Sequence, residues 1–381
     1  MMKAPANRLF QGIATSPNGR MSRYLHRLIF GRGFSGDRPN QLLVLFLPDR
    51  IPYASAYPFL WYAESFAEKF DAEIRFFPVE EAVAHGLPPG LRHPTHVLAQ
   101  ASLLAPPEKH LALARFLGTM PEGTVKAFSD TYANADIRLS SALPDIDLYF
   151  KKSLFVDRHE FLRPTYGHTN LTEYYGRLYG IEDQITDWRI PENVLGKLRL
   201  APNFLTDPRL LHTLLDSRGL PPLTGRTIDL HSRLGGTDRS GWYGEMRRHA
   251  SRVAEGLAGV TVASGADVDR RAFMSELRRS KICFSPFGYG ELCWRDIEAI
   301  AAGAVLLKPD MSHLSTAPDL FRNDETYVAC RWDFSDVAEM VRDLIDNEER
   351  RKRIATAAWK TARDYLVNDG PVLTYGGIFE R

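Results

Sequence analysis

Apolar residues in this chain fall into short unbroken runs, separated by stretches of helical period. QLLVLFLP (41–48) has strand length and no alternation, the pattern of a strand buried on both faces of a parallel sheet. EIRFFPV (73–79), THVLAQ (95–100), TVKAFSD (124–130) and DLYFKKSLF (147–155) repeat it. After the first run, DRIPYASAYP reads as a loop. Pro58 then starts a predicted helix with Phe59, Tyr62, Phe66 and Phe70 at helical spacing. PPEKHLALARFLGTM (106–120) predicts another helix with proline at its start. Strand, helix, strand in repetition is the α/β signature.

Residues 156–205 break the rhythm. They are rich in Tyr, Gly and Arg, with little clean period, and predict a partly helical connection. Turn signals near 202–209 and at 221–225 mark a hinge around 200–225. The alternation then resumes. TIDLHSRL (227–234), VTVAS (260–264), KICFSPF (281–287), AVLLKP (304–309) and TYVAC (326–330) predict strands. WYGEMRRHASRVAEGL and DRRAFMSELRRS predict helices between them, and one long helical region runs from Ser335 to about Tyr365. The expected organisation is an N-terminal arm (1–40), two α/β domains (41–205 and 225–365) and a tail (366–381) returning to the first domain. Length agrees, because 381 residues exceed the roughly 250–300 at which one core stops growing.

Charge and cysteine content narrow the function classes. Lys+Arg 48 against Asp+Glu 47 gives no general pull toward nucleic acid, so no such partner is expected. Cys283, Cys293 and Cys330 lack the paired spacing of a disulfide framework or a zinc site, which suits a reducing, cytoplasmic compartment. The longest apolar runs fall far short of the roughly 18 residues that cross a bilayer, and no signal-peptide apolar segment opens the chain. The basic amphipathic stretch at 21–32 is the one candidate for peripheral contact with a membrane's inner face; its ordinary alternative is packing on its own domain.

The stretch SPFGYGELCWRDIEAIAAGAVLLKP (285–309) carries the most chemistry. Read as one helix, it sets Glu291, Arg295 and Glu298 within about 60° of one another. The loop before it, Phe287-Gly288-Tyr289-Gly290, lets a ligand approach the backbone. A helix N-terminus favours phosphate, and Arg295 can add a forked contact to it. A second glycine loop, with Arg233, Gly235, Gly236 and Arg239, follows strand 227–234. Both loops fall at strand carboxyl ends, where open α/β sheets bind ligands. Two such loops suit a nucleotide diphosphate, with arginines neutralising the leaving group without a metal. The competing reading for each arginine is a surface ion pair.

This stretch resembles the donor-binding segment of GT-B glycosyltransferases, through Glu298-Ala299 followed by Ala302-Gly303 and an apolar strand. The exostosin-like branch is nearest, with Arg295 three residues before the Glu-Ala pair, and a weaker family 1-like resemblance spans 225–365. It implies two Rossmann-like domains facing each other across a cleft. It also implies that Glu298 holds the donor ribose and that Ser264 and Gly265 lie in the base-contacting loop. Retaining members space their two glutamates one residue further apart than Glu291 and Glu298, so Glu291 has no clear counterpart.

Other matches are weaker. GRGFSG (31–36) has no strand before it, Asp145 and Asp147 enter a strand instead of leaving one, and His93 and His96 flank a proline. No metal site and no bound cofactor are expected. A catalytic base is expected from the first domain: Asp49, Asp130 or His168. Tyr53, Tyr57 and Trp61 could stack on an acceptor sugar. The reading is a metal-independent glycosyltransferase moving a sugar from a nucleotide-diphosphate sugar to a glycan, lipid-linked or other hydroxyl. A two-lobed binding protein and a nucleotide-sugar epimerase are the alternatives.

Overall fold

The computed structural model describes residues 32–380, apart from 103, 138, 141, 217 and 218. The candidate membrane-contact stretch 21–32 therefore lies almost entirely outside the described residues. The first lobe is built on β1 (Asn40–Phe46), β2 (Ala72–Pro78), β3 (His96–Ala99), β4 (Val125–Asp130) and β5 (Leu148–Lys151). Short strands β6 (Ser153–Phe155), β7 (Thr165–Tyr166) and β8 (Ile185–Thr186) precede β9 (Leu198–Leu200), which adds an edge to the same sheet. The sheet order is β2-β1-β3-β4-β5-β9, all parallel. Leu42 to Phe46 of β1 are at most 1% exposed, as an unbroken apolar run between two helix layers should be.

The second lobe uses β10 (Ile228–Ser232), β11 (Val262–Ser264), β12 (Ser280–Phe284), β13 (Val305–Pro309) and, after the short β14 (Leu314–Thr316), β15 (Val328–Cys330). Its order, β11-β10-β12-β13-β15, repeats the winding of the first sheet, again all parallel. In each sheet the winding reverses between the first and third strands, β1/β3 and β10/β12. A crevice opens there at the carboxyl edge.

The lobes meet along a specific seam. β6 pairs antiparallel with β14 across it, which is why DLYFKKSLF forms two strands and not one. Phe204 stacks on Trp294 at 4.5 Å. A Cβ on Gly290 would overlap the backbone of Ala133 and Asn134, so only glycine lets the two backbones come this close. The end of the chain crosses back: Tyr62 donates to the Leu366 carbonyl, Tyr375 donates to the Ser55 carbonyl, and Phe379 stacks on Phe70.

Three local expectations change. In the segment DRIPYASAYP, everything after the N-cap Asp49 is helical, within Arg50–Trp61, and Pro58 lies inside that helix. Proline cannot donate to the Ala54 carbonyl one turn back. The Thr206 hydroxyl donates to it instead, at 2.9 Å, so a tertiary partner makes the interior proline tolerable. Residues 335–365 form two helices, Val337–Asp346 and Glu348–Val367, because Asn347 caps the second through its side chain. Strand 281–287 stops at Phe284, and the following helix starts only at Trp294.

Candidate active site

A cleft of about 1160 Å³ lies between the lobes. The second lobe supplies Gly288, Tyr289, Gly290, Arg295 and Glu298, together with Arg247 from the helix Gly241–Glu255. Asp49, at the N-cap of the helix Arg50–Trp61, and His168 face it from the first lobe.

The helix Trp294–Ala302 is aimed by a buried polar knot. Asp296 accepts from the Cys293 backbone N–H at 2.9 Å and from the Ser285 hydroxyl at 2.6 Å, and pairs with Lys308 Nζ at 3.2 Å. Asp296 and Lys308 are both fully buried. This ties the end of β12, the helix start and β13 into one unit. Arg295, one residue earlier than Asp296, is thereby turned into the cleft.

Arg247 is the unexpected member. It is 3% exposed, yet its Nε and Nη1 have no hydrogen-bond partner among the described residues. The same holds for Nε and Nη1 of Arg295. Burial pulls the Arg247 guanidinium below the usual arginine range, and the neighbouring Arg295 pulls it further. Asp296 eases the Arg247 charge from nearby, but no described residue bonds to Nε or Nη1 of either arginine, and two like charges left so in a protein interior are unfavourable unless an anion joins them. His231, at the end of β10 and fully buried, backs the site; burial, then Arg295, push its pKa down to about 4, so it is neutral at neutral pH.

Arg247 was legible in principle. Tyr243, Arg247, Ala250 and Ala254 share one face of their helix, and Arg247 is the only charge among them. Tyr243 in turn lies under the guanidinium, 5.1 Å from ring centre to Cζ, and stacks on Tyr289 of the glycine loop.

Several expected residues have other duties. Arg233 forks onto Glu276 (2.9 and 2.7 Å) and also bonds the Ser264 carbonyl, so it ties β10, β11 and the helix Arg270–Arg279 together. Gly235, Gly236, Arg239, Ser264 and Gly265 do not line the cleft. Gly236 has φ +86° against the Tyr243 ring, and Arg239 is exposed with its carbonyl accepting from Arg248. Phe287 is fully buried against Trp332 and under Lys308. Glu291 is not on the helix at all. It is buried in the loop and accepts from Asn170 of the first lobe at 2.9 Å, with His313 at 3.7 Å. Burial raises its pKa, but His313 and Asn170 outweigh that and leave it below the usual carboxylate range. Its position fits an anchor of the glycine loop.

On the first-lobe side, Asp130 is spent: it takes hydrogen bonds from Tyr149 (2.6 Å), Lys151 (3.0 Å) and the Tyr132 N–H. Tyr53 and Tyr57 are at most 2% exposed, with Tyr57 bonded to His212, and Trp61 packs edge-on against His212. Their helix turns the two tyrosine rings into the core, and Trp61, half-buried, does not line the cleft, so none of the three faces a sugar bound there. Glu298 remains in the cleft, 6% exposed, with Oε1 bonded to Arg270 at 2.7 Å. No cluster of three or more metal-binding side chains occurs among the described residues, and no helix among them is long and apolar enough to cross a membrane.

Residues 217–368 match the model of the glycosyl transferase-like family. An α-glucosyltransferase in complex with UDP and a 13-mer DNA containing a HMU base superposes with a TM-score of 0.50. The match covers 90% of this chain and 99% of the other, at 8% identity. TarM matches 75% of this chain and 55% of its own, with a TM-score of 0.44 and 9% identity. No curated protein matches the chain.

Proposed function

We propose that this GT-B glycosyltransferase moves a sugar from a nucleoside-diphosphate sugar to an acceptor hydroxyl, using arginines and no metal ion to hold the diphosphate. One observation carries the reading: Arg247 and Arg295 converge in the inter-lobe cleft with four N–H-bearing atoms unmatched. A diphosphate supplies the missing acceptors and charge. Glu298 has one carboxylate oxygen free of Arg270 and can accept from ribose hydroxyls beside it. The acceptor oxygen bonds to the anomeric carbon as the bond from that carbon to the diphosphate breaks. The arginines stabilise the charge that builds on the leaving group. Asp49 and His168 are the groups placed to take the acceptor proton.

The test is nucleoside-diphosphate release from a panel of UDP-, GDP- and dTDP-sugars in excess chelator, with and without mixed hydroxyl acceptors. Release that depends on acceptor and survives chelation supports the reading. Binding without turnover would make the protein a two-lobed receptor, and acceptor-independent isomerisation would make it an epimerase. Loss of activity on chelation would remove the arginine-only account.

A further inference from the structure

A second cavity, of about 510 Å³, lies in the first lobe beside the cleft, and Ser102 lines both. It is bounded by residues just beyond β1 (Leu47, Pro48) and β3 (Gln100, Ala101, Ser102), which places it in the β1/β3 crevice. That is the reversal point of the first sheet, the counterpart of the β10/β12 crevice beside the arginine pair.

Its chemistry is opposite to that of the arginine pair. Pro78, Val79 and Val83 form one wall, and Ala105, Ala112 and Leu113 another. Several of the polar groups around it are already engaged. Gln100 donates to the Pro52 carbonyl and accepts from the Leu47 N–H, and His110 Nε2 sits 2.8 Å from the Ser102 carbonyl. Lys109 pairs with Glu80 at 3.1 Å. On its first-lobe side, close in sequence to the chamber residues Pro48 and Ala105, the cleft presents Ile51, 46% exposed, and Leu104, 84% exposed. Exposed aliphatic side chains near both a polar site and an apolar chamber favour an amphiphilic ligand.

We infer that the acceptor carries an apolar aglycone, alkyl or aryl, which occupies this chamber while its hydroxyl faces the donor. The inference rests on the transferase reading for the word acceptor, but the chamber's preference is measurable by binding alone. Alkyl glucosides from methyl to octyl, below their micelle concentrations, are titrated calorimetrically into the full chain. Affinity rises about three- to fourfold per methylene. Ala84→Trp, from an exposed position on the chamber rim, and Ala112→Trp both flatten that rise, while nucleoside-diphosphate binding stays at the wild-type level and reports an intact fold. Equal affinity for methyl and octyl glucoside, or a chain-length dependence that survives both variants, overturns the inference. Failure of every nucleoside diphosphate to bind sinks the transferase reading instead.

Discussion

Arg247→Met separates a ligand-binding arginine from a structural one, because the two roles predict opposite stability changes. Methionine keeps most of the buried stem and removes the charge. In the ligand-free protein this relieves a desolvated guanidinium that lacks partners at Nε and Nη1 and faces Arg295. The loss on the other side is the contact with the Tyr243 ring, worth about 2 kcal/mol at this desolvated position, against a cost of several kcal/mol for a buried charge without partners. Stability in urea is therefore expected to hold or rise. Binding should move the other way. Two charge-assisted hydrogen bonds to phosphate, at about 1.5 kcal/mol each, amount to about 3 kcal/mol, or roughly a 150-fold weaker affinity. Calorimetric titration of nucleoside diphosphates, alongside urea unfolding without ligand, reads both quantities. Unchanged affinity together with a stability loss above about 2 kcal/mol would show that Arg247 is a structural residue, and the argument from unmatched N–H groups would fail.

Glu298→Ala should weaken nucleoside-diphosphate binding about tenfold through the lost ribose contacts, and the 2′,3′-dideoxy nucleotide should bind wild type and variant alike. A wild-type affinity in the variant removes the ribose assignment. Gly290→Ala forces a Cβ into the backbone of Ala133 and Asn134, so the seam must open; a cost of about 1–3 kcal/mol is expected in urea unfolding, with lowered turnover. Folded His231 titrates near 4 against 6.5 when unfolded, so above about pH 6.5 both states are neutral and nothing is lost. Between 6.5 and 4 the unfolded chain binds the extra proton, and stability should fall by up to about 3 kcal/mol. His231→Leu should lack that part of the slope; parallel pH profiles for the two proteins would contradict it.

The two-lobed α/β organisation was legible because its strands are buried on both faces. Full burial leaves unbroken apolar runs, as at Leu42–Leu47, that no surface element needs. Boundaries were less legible wherever one side chain decides them, as with Asn347 between the last long helices. The site divided along similar lines. Arg295 and Glu298 follow from a glycine loop and a helix adjacent in sequence. Arg247 comes from a different helix, about fifty residues earlier, and only packing brings it alongside Arg295. Arg233 and Asp130 show the reverse. Each is a plausible site residue by position, and each is claimed by a partner the linear pattern does not expose, Glu276 for one and Lys151 for the other.

By itself, then, the sequence determined the alternation of strands and helices in two parallel-sheet halves and the placing of one glycine loop and helix at a sheet's carboxyl edge. Those features depend on local periodicity and on the rule that parallel strands need crossover helices. Only the tertiary structure decided which charges are free to meet a ligand. Pairing depends on which side chains come within about 3–4 Å across elements, and a charge left unmatched is visible only once every neighbour is in place. Glu291 was turned by that packing from a presumed helix-face carboxylate into a buried tie between lobes, and Arg247 from an anonymous helical residue into half of the anion site.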